Sequence, residues 1–147
     1  MAEEKMLDVA LGRIVIRDGV DQQYIVLVEK HGKRGLPIVI GSHEALEIHR
    51  VVHGIEPERP LTHQLAYSAI RALGAHLKQV DIVDLRKNTF FAHLVLQNDR
   101  GDELTVVDAR PSDAIALALR ARCPIRVAES VLAQGRPAQE NPGEEGE

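Results

Sequence analysis

The chain has 147 residues, a formal net charge of −4 and 3% aromatic residues. This length fits one domain with a core of Val, Ile, Leu and Ala, and the negative charge excludes a global basic field that would attract nucleic acid. The single Cys123 excludes an internal disulfide framework and is typical of a reducing compartment. No signal peptide is visible and no apolar run is long enough to cross a bilayer, so we expect a cytoplasmic protein with no membrane partner.

The first half of the chain predicts three strands and two helices. Alternating and β-branched apolar residues predict strands at 7–17, 24–29 and 36–40, and apolar spacing predicts helices at 43–53 and 62–73. Thr62 is a plausible N-cap for the second helix, and Gly74 suits the position after its end.

The second half repeats this order. Strands are predicted at 77–85, 89–97, 104–107 and 124–127, with a helix within the segment 108–120. An ungapped alignment at an offset of 69 residues pairs Glu44 with Asp113, each in the first turn of a helix. We therefore predict an α+β fold of two pseudo-repeated β-β-β-α units, joined by the 62–73 helix, with mostly antiparallel sheets. One domain is expected over residues 1–134, followed by a disordered acidic tail over 135–147.

A polar cluster lies between a predicted strand and a helix that is apolar on every face. Asp108, Arg110, Ser112 and Asp113 fall within six residues. An apolar helix of this kind belongs inside a protein, and its N-terminus offers free N–H groups. The cluster could hold catalytic side chains in position. It could equally be a helix start, because Pro, Ser and acidic residues are all favoured there.

Metal-assisted phosphodiester hydrolysis is one chemistry that these residue types support. Carboxylates hold hard cations such as Mg²⁺ or Mn²⁺, and arginines or helix N-termini receive phosphate. His63 could act as a general acid or base, or be an exposed residue of a first helical turn. Candidate cation ligands are Glu44, Asp108 and Asp113, and candidate phosphate ligands are Arg59 and Arg110.

Two further signals favour structural interpretations. His49 and His53 lie four residues apart and could face one metal ion, but no third ligand is near in sequence, so a solvated helix face is favoured. Cys123 has no histidine placed to activate it, which favours a buried thiol over a nucleophile.

Five segments of the sequence together resemble the bifunctional nuclease family. They are Leu36–Gly41, Glu44-Ala45, Arg59–His63, Asp108–Arg120 and Pro124-Ile125. This resemblance covers residues 7–133 and implies a compact α/β domain that cleaves both RNA and DNA. By position, the family's polar residues fall on Glu44, Arg59, Thr62, His63, Asp108, Arg110, Ser112 and Asp113.

The hypothesis of a metal-assisted nuclease assigns roles to these residues. Catalysis would fall to Glu44, His63, Asp108 and Asp113, with the three carboxylates also binding the cation, and substrate binding to Arg59, Thr62, Arg110 and Ser112. The family usually has an acidic residue after its Thr-His pair, whereas this chain has Gln64, which is a weaker metal ligand and cannot act as a base.

Other functions stay open at the level of sequence. The low aromatic content and negative charge favour a non-catalytic module that binds a small anionic ligand or a partner protein, because proteins that bind single strands usually present aromatic platforms. An enzyme acting on a small phosphorylated metabolite is a third possibility. Apolar strands leave edges or faces that a second subunit could cover, so we expect a homo-oligomer.

Overall fold

The computed structural model describes residues 4–137. A first unit comprises β1 (Met6–Val15), β2 (Gln22–Glu29), β3 (Arg34–Gly41) and α1 (Ser42–Val52). After the connecting helix α2 (Thr62–Ala72), a second unit comprises β4 (Ala75–Arg86), β5 (Thr89–Asn98), β6 (Leu104–Ala109) and α3 (Pro111–Ala121). The described chain ends with β7 (Ile125–Ala128), α4 (Glu129–Leu132) and β8 (Arg136–Pro137).

The strands form one eight-stranded sheet in the order β6-β5-β4-β7-β1-β2-β3-β8. All neighbouring strands are antiparallel except β4 and β7. The predicted α+β fold with mostly antiparallel pairing is confirmed. The sequence suggests separate sheets, whereas the structure has a single sheet. The reason is that β7 pairs with β1 on one side and with β4 on the other. The pseudo-repeat of the two sequences stays a prediction.

Helix α3 lies in the core. Its first part is rich in Ala, and Ala114, Ile115 and Ala116 are completely buried. The small side chains let α3 pack against α1, α2 and β4. The N-terminus of α3, which carries the polar cluster, is therefore fixed in position by the packing of the helix behind it.

The hairpin between β4 and β5 turns at Lys87-Asn88. Both residues have positive φ angles, 49° and 63°, the combination that a two-residue type I′ hairpin turn requires. This turn sets the position of the first residues of β5, which matters for a second cavity described below.

The last part of the described chain contains two elements that the sequence does not predict. Helix α4 and strand β8 are too short for a periodic apolar pattern to reveal. Strand β8 pairs with β3, so Arg136 and Pro137, which we place in the predicted tail, belong to the sheet. The remainder of that tail, residues 138–147, lies outside the described residues. Within the described part of the chain, none of the helices is long and apolar enough to cross a membrane.

Candidate functional site

Two carboxylates from different helices meet at one guanidinium. Glu44 lies in the first turn of α1, Asp113 lies in the first turn of α3, and Arg110 is the residue directly before α3. Arg110 Nη2 donates hydrogen bonds to Glu44 Oε1 at 2.8 Å and to Asp113 Oδ2 at 3.1 Å, and its Nε donates to Asp113 Oδ2 at 3.2 Å. The pairing of Glu44 with Asp113 at the offset of 69 thus corresponds to two side chains that share one partner.

His63 joins the same network from the first turn of α2. Its Nε2 lies 2.8 Å from Asp113 Oδ1, and its side chain is 16% exposed. With a proton on Nε2, the imidazole donates to the carboxylate and Nδ1 is left as an acceptor. Among the described residues, Nδ1 has no hydrogen-bond partner. A carboxylate behind a histidine fixes both the tautomer and the orientation of the ring.

The charges of Glu44 and Arg110 stabilise each other. Burial alone would raise the pKa of Glu44, but the hydrogen bond and the positive charge of Arg110 outweigh burial and hold that pKa below its ordinary value. The hydrogen bond to Glu44 and the charge of Asp113 raise the pKa of Arg110. Glu44 and Arg110 are therefore a charged pair at neutral pH.

This network forms one wall of a cavity of about 580 Å³ between α1, α2 and α3, which is the main cavity of the site. A second charged group, at Glu47 and Arg50, lines the same cavity. Arg50 Nη2 donates to Glu47 Oε2 at 3.0 Å, and Arg120 Nη2 donates to Glu47 Oε1 at 2.8 Å. Glu47 is 2% exposed, so its charge is held inside the protein by two arginines.

Burial would raise the pKa of Glu47, but hydrogen bonds from Arg120 and Arg50 outweigh this effect and hold the pKa below that of an ordinary glutamate.

The sequence patterns described above do not identify Glu47 or Arg50 as site residues. The available signal is their position: Glu47 follows Glu44 by three residues, a spacing that puts both on one face of a helix. Arg120 is distant in sequence, so its contact arises from the packing of α3 against α1.

The other predicted site residues lie in different places. Asp108 is exposed on the edge strand β6, opposite His93 of β5, and its carboxylate makes no hydrogen bond or ion pair with the described residues. Arg59 is exposed in the loop between α1 and α2, and its guanidinium makes no hydrogen bond or ion pair with the described residues. Thr62 lines the main cavity, whereas Ser112 is buried and lines a neighbouring one.

The start of α2 differs from the prediction by one residue. The N-cap is Leu61 rather than Thr62, because Gln64 Oε1 accepts the backbone N–H of Leu61 at 2.9 Å and so lets the helix begin at Thr62. This contact is the glutamine half of a capping box, and it satisfies a backbone donor at the helix start. Gln64 does not line the main cavity, and its amide is engaged at the helix start.

The predicted cation site is not assembled among the described residues. They contain no group of three or more His, Cys, Asp or Glu side chains placed to hold a metal ion. Asp108 is not joined to Glu44 or Asp113, and the guanidinium of Arg110 occupies carboxylate oxygens that a cation would need. This arrangement does not fit a three-carboxylate Mg²⁺ or Mn²⁺ site.

The histidine pair and the cysteine show no sign of a reactive centre. The rings of His49 and His53 lie 4.2 Å apart, and His53 Nδ1 contacts the backbone oxygen of His49 at 3.0 Å. Cys123 is half-buried, and burial raises the pKa of its thiol to about 11. A thiol with this pKa is protonated at neutral pH and is a poor nucleophile.

The site belongs to a chain with recognisable relatives. Residues 25–140 match the bifunctional nuclease domain. The chain belongs to the bifunctional nuclease family. The resemblance inferred from the five segments is confirmed, and the match includes every polar residue that the resemblance singled out.

Among the proteins that this chain resembles, the share of their length that the chain covers differs between a bacterial protein and the plant proteins. An uncharacterized protein of Mycobacterium tuberculosis is 46% identical over 129 residues, which span 88% of this chain and 76% of that protein. Bifunctional nuclease 2 of Oryza sativa subsp. japonica is 29% identical over 119 residues, which span 79% of this chain and 36% of the plant protein. Bifunctional nuclease 1 of Arabidopsis thaliana is 27% identical over 93 residues, which span 63% of this chain and 29% of the plant protein. The chain thus covers a minor part of the plant proteins that carry the nuclease name.

Proposed function

We propose that this member of the bifunctional nuclease family hydrolyses phosphodiester bonds in RNA and single-stranded DNA, with the main cavity as its active site. The observation that carries the proposal is the continuous network from His63 through Asp113 and Arg110 to Glu44 on the wall of that cavity. Such a network combines an oriented histidine, which can move a proton, with the guanidinium of Arg110, which can bind phosphate. Phosphodiester hydrolysis needs both functions.

Arg110 supplies the phosphate-binding group in this proposal. A guanidinium carries five N–H donors, and Glu44 and Asp113 engage those of Nε and Nη2. The two hydrogens of Nη1 have no acceptor among the described residues, and the side chain is 67% exposed. Arg110 can therefore bind a phosphate oxygen through Nη1 while its other donors keep the guanidinium in place.

His63 moves the proton. With Nε2–H donating to Asp113, Nδ1 accepts a proton from water as the water oxygen forms its bond to phosphorus. The ester bond from phosphorus to the leaving oxygen breaks, and the leaving oxygen takes up a proton from protonated His63 or from solvent. Asp113 stabilises the imidazolium formed in between and holds the ring in its orientation. Because water is the nucleophile, this mechanism needs no 2′-hydroxyl and applies to DNA as well as RNA.

A matched pair of variants tests the proposal. Purified protein is stripped of metal, reloaded, and assayed on single-stranded RNA and DNA beside Asp113→Asn and Asp108→Asn. We expect Asp113→Asn to lower cleavage at least 100-fold, because the general base His63 loses the carboxylate that orients it and a positioned general base contributes roughly this much. Asp108→Asn removes an equal charge from an exposed site without contacts to the network, so it should retain cleavage. Equal residual cleavage by the wild type and Asp113→Asn would indicate a contaminating nuclease and reject the proposal.

The predicted cation, the homo-oligomer and the cytoplasmic location stay predictions. The stripped and reloaded samples of the same assay test the cation directly, and sedimentation of the purified protein tests the oligomer. No step of the proposed mechanism passes through a metal ion.

A non-catalytic module that binds a small anionic ligand is the alternative function. It is favoured by the Nη1 donors of Arg110, which have no acceptor among the described residues, since an anion can bind there without any further chemistry. Calorimetric titration with inorganic phosphate distinguishes the two functions. Phosphate binding that depends on Arg110, together with no cleavage above the Asp113→Asn background, would favour the module.

A further inference from the structure

A second cavity, of about 360 Å³, lies beside the candidate active site. Arg110 lines both cavities, so this residue lies at their junction. The second cavity is bounded by β3, the hairpin between β4 and β5, and the N-terminus of α3. Its lining residues outside α3 include Gln22, Ile38, Ile40, Asn88 and Phe90.

The walls of this cavity are apolar and its rim is polar and uncharged. Ile38 and Ile40 are buried, and Phe90 packs against the core. Asn88 and Gln22 are exposed and carry amides, which can both donate and accept hydrogen bonds. Of the described residues that line the cavity, Arg110 alone is charged. A flat, uncharged ligand with hydrogen-bonding edges, attached to a phosphate, matches this combination.

We propose that the second cavity is a nucleobase subsite, in which the base of the nucleotide whose phosphate binds Arg110 stacks on Phe90. This inference rests on the proposed function and deepens it, because it names a base-carrying strand as the substrate. The amides of Asn88 and Gln22 meet the hydrogen-bonding edge of the base. Since every base has a flat face, stacking on one aromatic ring tolerates different sequences and both sugars.

Phe90 is held in place by the local structure. It follows the type I′ turn at Lys87-Asn88 by two residues, and its partial burial restricts its movement. Successive side chains of a strand point to opposite faces, so the next residue, Phe91, lies on the other side of the sheet. There the guanidinium of Arg86 lies 4.2 Å from the centre of the Phe91 ring. Phe91 does not line the second cavity, and it is a matched control for Phe90.

The test compares two substrates that differ only in their bases. Wild type, Phe90→Leu and Phe91→Leu are assayed on oligothymidylate and on an abasic oligomer of equal length, and KM and kcat are determined for each. We expect Phe90→Leu to raise KM for oligothymidylate roughly tenfold, the effect of losing one base–aromatic stack. The same variant should leave KM for the abasic oligomer unchanged, and Phe91→Leu should leave both unchanged. Thermal melting of each variant establishes that it is folded.

A binding measurement separates failure of this inference from failure of the proposed function. Fluorescence anisotropy with a cleavage-resistant phosphorothioate oligothymidylate and its abasic counterpart is measured on the same proteins. If the protein does not cleave but Phe90→Leu still weakens binding of the base-carrying oligomer alone, the proposed function fails and the subsite stands. If Phe90→Leu weakens both oligomers equally, or neither, or if oligothymidylate does not bind, the nucleobase subsite is wrong.

Discussion

Replacement of Glu47 by Gln should destabilise the protein more than replacement of any exposed charged residue. Glu47 is 2% exposed, and its carboxylate compensates Arg50 and Arg120, whose side chains are 28% and 17% exposed. The glutamine amide can accept one hydrogen bond but turns an N–H₂ donor towards the second arginine. The Nε atom of Arg120 is already buried without an acceptor among the described residues, so this arginine depends on Glu47 for charge compensation.

Removal of one partner from a buried ion pair costs about 3–5 kcal/mol, and the partial exposure of both arginines favours the lower end, about 3 kcal/mol. For a domain of this size, a loss of about 3 kcal/mol lowers Tm by roughly 9 °C. Differential scanning calorimetry at pH 7 measures this shift. Asp99→Asn is the control, because Asp99 is an exposed carboxylate that also has two partners, Arg71 and His76. Its Tm should stay close to that of the wild type.

The dependence on pH gives a second check of the Glu47 prediction. The folded-state pKa of Glu47 is lowered, so its contribution to the free energy of unfolding is complete above the pKa of an unfolded glutamate. The contribution is lost as pH falls through the lowered folded-state pKa. The Tm difference between wild type and Glu47→Gln should therefore be largest near pH 7 and shrink towards pH 3. A Glu47→Gln Tm loss no larger than that of Asp99→Asn, or a difference that grows on acidification, would refute the reasoning.

Three further outcomes follow from the site. Gln64→Glu should change cleavage less than twofold, because Gln64 caps α2 and does not line the cavity, and a large gain in steady-state rate would show that residue 64 takes part in the chemistry. Cys123→Ser should retain full cleavage, and the wild-type thiol should react slowly with iodoacetamide at pH 7 because its pKa is about 11, so rapid alkylation with loss of activity would contradict this expectation. EDTA followed by Mg²⁺ or Mn²⁺ should change cleavage little if Arg110 keeps its contacts to Glu44 and Asp113, whereas full dependence on the cation would show that the guanidinium is displaced.

The parts of the fold that sequence predicts are those set by local pattern. Continuous apolar character predicts the burial of α3, and the Gly74 that follows α2 has a positive φ of 80°, as its predicted position requires. Local pattern does not reveal α4 or β8, which depend on contacts with distant strands. It also does not show that β7 joins the two units into one sheet, since the pairing partners of a strand are a tertiary property.

The candidate site was partly predictable for the same reason. The ungapped alignment at an offset of 69 residues pairs Glu44 with Asp113, each in the first turn of a helix, and the structure brings both to Arg110. Asp108 is close to Asp113 in sequence, but it lies on the exposed edge strand β6 and stays outside the network. Glu47 was missed because its burial depends on the contact of α1 with α3, which no local pattern encodes.

Cleavage of single-stranded RNA by His63→Gln tests the central claim most directly. His31→Gln is the matched control, since His31 is exposed in the turn between β2 and β3 and lines no cavity described above. We expect His63→Gln to cleave at least 100-fold more slowly than wild type, and His31→Gln to cleave at the wild-type rate. Equal rates for wild type and His63→Gln, in protein purified in the same way, would contradict the claim.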